Sequence, residues 1–194
     1  MRGKVLALTP AEVVARARSL CVVPSDPASR IYYSSKTGRN GGADPEAITC
    51  ASLWRDKADG GRLWLTSDCV GLAMWAYGCD RYQPPLWVNQ NALYREATAG
   101  RGWRFCDPYP GCLALIRGPI PGDKRVGHMA VVTEIRHATL NGDQQLESNG
   151  AYATHVVHCS GSGKRRHGQA IGEDPIGLAM GTSRPVYFVE RVPG

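Results

Sequence analysis

Cys69 follows Thr66-Ser67-Asp68 and heads the stretch Cys-Val-Gly-Leu-Ala-Met-Trp-Ala-Tyr, which Gly78 closes. Three good capping residues before an apolar run predict a buried helix with Cys69 in its first turn. A thiol attacks only as thiolate, and at its ordinary pKa of about 8.5 it is mostly protonated near neutrality. A helix N-terminus supplies roughly half a positive charge and unpaired N–H groups, which favour the thiolate. Most free cysteines are small buried hydrophobes. None of the other six, however, follows a comparable cap cluster at the head of an apolar helix.

A nucleophilic thiol needs a base. His128 follows Gly127 and opens His-Met-Ala-Val-Val-Thr-Glu-Ile, so its ring is expected at the start of a strand. A third group should fix the tautomer of that imidazole. His158, in Thr-His-Val-Val-His-Cys-Ser, falls on the next expected strand, with His155 and Asn149 as alternatives.

The elements that must position these residues are partly legible. Thr9-Pro10-Ala11-Glu12 places a capping hydroxyl, a first-turn proline and a glutamate three residues after the cap, which predicts a helix to about Leu20. Ser25 to Asp59 is rich in Gly, Pro, Ser, Asp and Asn and reads as a long loop with short apolar islands such as Ile31-Tyr32-Tyr33. Asn89 to Ala99 is an amphipathic helix candidate closed by Gly100. Cys112–Ile116, His128–Ile135, His155–His158 and Val186–Val192 are short runs rich in β-formers, expected as antiparallel strands. Helices before strands predict an α+β fold, N-terminal helices packed on a central antiparallel sheet. The 194 residues suit one domain, 1–194.

The net charge of +6 favours anionic surroundings without choosing among them. Much of the excess sits in Lys164-Arg165-Arg166, a run that usually marks a solvated loop. Seven irregularly spaced cysteines leave at least one thiol unpaired. No Cys-x-x-Cys pair is present, so neither a metal nor another cofactor is expected. Gly161-Ser162-Gly163-Lys164 lacks the spacing and the Ser or Thr of a phosphate loop. The start, MRGKVLALTPAE, breaks its apolar stretch too early for a signal peptide, and no run is long enough to span a membrane. Trp87 and Trp103 are candidates for lining a substrate groove.

The order TSDCVGLAMWAYG, YPGCLALI, VGHMAVVTEI and HVVHCSG, over roughly residues 9 to 191, resembles the NlpC family of papain-like cell-wall cysteine hydrolases and their CHAP relatives. The resemblance implies a papain-like fold with Cys69 as nucleophile, His128 as base and His158 as the residue orienting it. It also implies an oxyanion site formed by the Cys69 N–H and an upstream tyrosine, Tyr33 or Tyr32. Asp68, like Trp87, is a further candidate for contact with the substrate. Val70 stands where the family usually carries serine, a residue that in some members helps hold the substrate's amino group. The expected partner is peptidoglycan, not nucleic acid, and the expected state is a monomer. The expected activity is cleavage of a peptidoglycan amide, as endopeptidase or amidase, by a phage endolysin or antibacterial effector. Such a protein would be made in the cytoplasm and delivered to the wall by a holin, a phage particle or a secretion system. The alternatives are a cysteine acyltransferase on the same scaffold and a non-catalytic wall-binding module.

Overall fold

The computed structural model describes residues 8–26, 29–33, 54–58, 62–78, 90–118, 127–137, 151–181 and 183–192. Helix α1 spans Pro10–Ser19 and opens on the expected reciprocal cap. The Glu12 N–H donates to Thr9 Oγ1 at 3.3 Å, and the Thr9 N–H donates to Glu12 Oε2 at 2.7 Å. Val13 and Ala17, one turn apart, bury the inner face of the helix.

Within the stretch read as loop, the chain forms β1 (Ile31–Tyr33) and β2 (Trp54–Ala58), which flank β3 (Arg62–Ser67). That corrects the loop expectation. β1 runs parallel to β3 and β2 antiparallel to it. Strands this short draw their stability from the partner they pair with, so their own sequence carries little signal.

β3 leads through Asp68 alone into α2 (Cys69–Ala76), in which every residue except Trp75 is buried. A helix apolar on all sides belongs at the centre of a fold. Helix α3 (Gln90–Ala99) follows, buried through Gln90, Leu93 and Ala97. The larger sheet is built from β4 (Trp103–Phe105), β5 (Leu113–Ile116), β6 (His128–His137), β7 (Ala151–Cys159), β8 (Ile171–Pro175) and β9 (Tyr187–Arg191). Its order is β4-β9-β5-β6-β7-β8, and every neighbouring pair is antiparallel. Two short helices, α4 (Gly163–His167) and α5 (Ile176–Met180), bracket β8.

The sheet is apolar on both faces. Leu113, Leu115, Met129, Val131, Val157, Cys159, Ile171 and Val189 form one core with α1, α2 and α3. Ala114, Ile116, Ala130, Val132 and Val156, in the alternate phase, form a second core with Met180 of α5. The architecture is therefore α+β, with the early helices on one face of an antiparallel sheet. No helix among the described residues is long and apolar enough to cross a membrane.

Candidate active site

Cys69 occupies the first turn of α2, as expected from its caps. The Asp68 carboxylate accepts the Gly71 N–H at 2.7 Å, which satisfies one of the helix's open donors. Asp68 is fully buried, so the structure gives it a capping position rather than the substrate-facing one expected. Tyr33 pairs in register with Ser67, two residues before Cys69, and is 43% exposed. Tyr32 pairs one step further back, with Thr66.

Cys69 itself is only 4% exposed and packs in the core on the helix-bearing face. Burial pushes the neighbouring Cys159 thiol well up, with Cys69 and Asp68 adding to the effect. The open groove expected around the sulfur is not what the described residues form. Among these residues Cys21, Cys106, Cys112 and Cys159 are free thiols.

The two expected histidines do come together. His128 Nε2 and His158 Nδ1 are 3.0 Å apart, with the rings edge to face at 88°. The positions follow from register: Ala130 of β6 lies opposite His158 of β7, which lies opposite Gly172 of β8. His158 alternates with Val157 and Cys159, so its ring stands on the sheet face away from α1, α2 and α3. His128 is in phase with Ala130 on that same face. Cys69 and the histidine pair therefore flank the region where β6 begins and β7 ends from the two sides of the sheet.

Gly127 permits the strand to begin there. A Cβ at Gly127 would lie 2.5 Å from Gly118 N and 2.6 Å from both Gln90 Cγ and Ile116 O. Gln90 is buried, and its Oε1 has no hydrogen-bond partner among the described residues.

Beyond the histidines lies a group the sequence reading missed. His158 Nε2 is 2.8 Å from Asp174 Oδ2, and the same oxygen takes Arg166 Nη2 at 2.8 Å and His167 Nε2 at 3.0 Å. Burial alone would push the Asp174 carboxyl up, but hydrogen bonds from His158 and His167, helped by the charges of His167 and Arg166, hold it below its ordinary value. Burial also lowers His158, against the pull of Asp174. His128 is lowered to about 3, first by burial and then by His158 and Arg184. Both imidazoles are consequently neutral near pH 7. The available sequence signal was an acidic residue one strand beyond His158, but adjacent Glu173 and Asp174 made the choice ambiguous.

The remaining candidates fall elsewhere. His155 faces Glu134 at 3.3 Å, where the β6–β7 register shifts, and does not join the histidine pair. Trp103 is 2% exposed and packs on Tyr77, so it is core rather than groove lining. Asn149 and Trp87 lie outside the described residues. No group of three or more His, Cys, Asp or Glu side chains among the described residues is placed to hold a metal ion. Compared with models of protein families and with curated proteins, the chain matches none.

Proposed function

We propose that this chain is a cysteine amidohydrolase acting on peptidoglycan, with Cys69 as nucleophile, His128 as base and His158 as the residue that orients it. The observation that carries the reading is the run His128–His158–Asp174, bonded at 3.0 and 2.8 Å. It engages Nε2 of His128 and leaves Nδ1 without a hydrogen-bond partner among the described residues. A neutral imidazole with one nitrogen anchored and the other open is the arrangement a general base needs. The placing of Cys69 at the capped N-terminus of α2 supplies the other half of the pair.

This reading requires the Cys69 sulfur and His128 Nδ1 to meet around the margin of the sheet where β6 begins; there His128 takes the Cys69 proton and the sulfur adds to the amide carbonyl carbon. The Cys69 N–H and the Tyr33 hydroxyl stabilise the oxyanion, and His128 gives the proton to the departing amine as the C–N bond breaks. Water, deprotonated by His128, then cleaves the thioester and regenerates the thiol. Delivery to the wall by a holin, a phage particle or a secretion system belongs to the same proposal.

The burial of Cys69, on the helix side of the sheet, favours a second reading: a non-catalytic module that holds wall polymer. Incubating the purified protein and Cys69→Ala with peptidoglycan, followed by mass spectrometry of released fragments, separates the two. Amide cleavage by the parent protein and none by the variant is the expected result. Equal silence from both, with wall binding retained, would leave only the binding module, and acyl transfer to an added amine without hydrolysis would indicate a transferase.

A further inference from the structure

We propose that Asp174 is a positioning residue that sets the tautomers of both histidines, so that His128 carries its proton on Nε2 and presents a bare Nδ1. The inference uses the proposed hydrolase only for its catalytic consequence.

The tautomers follow in order from the carboxylate inward. An ionised carboxylate only accepts hydrogen bonds, so a ring nitrogen 2.8 Å from Asp174 Oδ2 must carry a hydrogen. That nitrogen is His158 Nε2. Arg166 Nη2 also approaches His158 Nε2, at 3.2 Å, but a guanidinium has only donors and its hydrogen has a better acceptor in Asp174 at 2.8 Å. Burial, with Arg166 and His167 nearby, outweighs the pull of Asp174 and leaves His158 neutral near pH 7, so a hydrogen on Nε2 means a lone pair on Nδ1. Nδ1 of His158 faces Nε2 of His128 at 3.0 Å, and two lone pairs cannot share that distance. His128 therefore donates from Nε2 and, being neutral, keeps Nδ1 unprotonated.

The surroundings hold the carboxylate in its anionic state. Its side chain is 6% exposed, where an unpaired charge would be costly, and Arg166 and His167 both bond the oxygen that faces His158. Gly172 makes room for this: a Cβ there would run into the His167 ring. His158 is 2% exposed, so without Asp174 its Nε2 would have no solvent to turn to.

The test is long-range ¹H–¹⁵N NMR of the imidazole nitrogens in the uniformly labelled full chain near pH 7, for the parent protein and Asp174→Asn. In the parent, the expected spectrum has lone-pair nitrogens at His128 Nδ1 and His158 Nδ1, and protonated nitrogens at both Nε2 positions. An asparagine can turn its amide N–H toward His158 Nε2, so the variant should move His158, and with it His128, toward the Nδ1–H form. A parent spectrum with the proton on His128 Nδ1 would overturn the assignment even if the variant failed to fold. Unchanged tautomers in a folded Asp174→Asn would overturn it as well. Alkylation of Cys69 by iodoacetamide, read on the same samples, should slow at least about tenfold in the variant. If the parent thiol reacts no faster than a thiol in denatured chain while the tautomers stand as stated, the hydrolase reading fails and the role of Asp174 survives.

Discussion

His128 and His158 stay uncharged in the folded chain where their unfolded counterparts would take up protons, and stability responds to that difference. His128 has an ordinary value of 6.5 and is lowered to about 3 by burial. Between those values the unfolded chain binds a proton that the folded chain refuses, so stability should fall as pH falls through that window. His158 contributes with the same sign. Asp174, held below 3.8, adds a further loss at still lower pH, since only the unfolded carboxyl is then protonated. Urea unfolding midpoints measured from pH 7 to pH 3.5 should decline, at up to about 1.4 kcal/mol per pH unit for each proton involved. His128→Ala should flatten that decline, and the same variant should slow iodoacetamide labelling of Cys69 several-fold. A labelling rate indifferent to His128 would separate the sulfur from the imidazole. The histidine pair was legible because strand-opening and strand-interior positions can be read from local patterning. Asp174 was not, because its meaning depends on which strand lies beyond β7, and the run Ile-Gly-Glu-Asp-Pro has no alternation to mark it as a strand.

Elements that depend on local signals were read closely. The Thr9 cap, the start of α2 at Cys69 and the strands bearing His128 and His158 all lie within a few residues of their expected bounds. The strands β1, β2, β3, β4 and β8 and the helices α4 and α5 were not foreseen, since each is six residues or fewer and elements that short depend on the partner they pack or pair with more than on their own patterning. Two substitutions test this level. Thr9→Ala removes the hydroxyl that accepts the Glu12 N–H and should cost about 1 kcal/mol in chemical denaturation. Gly127→Ala is the sharper change, because the new methyl would meet Gly118 N and Ile116 O, backbone atoms that cannot swing aside. A loss of roughly 1–3 kcal/mol is expected, with displaced His128 resonances while the α1 resonances stay in place.

At the scale of the molecule, the antiparallel sheet with helices against one face was foreseen, whereas the second, three-stranded sheet was not. The net charge of +6 should assist approach to an anionic envelope. Co-sedimentation with isolated cell walls is therefore expected to weaken strongly between 0.05 and about 0.5 M sodium chloride, as the screening length shrinks well below about 10 Å. Binding that ignores salt would assign recognition to uncharged contacts instead.

Among the described strands, the larger sheet ends on β4 and β8, and both margins are poor templates for another chain. β4 offers only three paired residues, and β8 finishes in a proline that brings no N–H, with the chain turning at once into α5. A foreign strand arriving at either margin would find too few open backbone groups to zip along, so the protein carries its own guard against fibrous stacking through its broadest sheet.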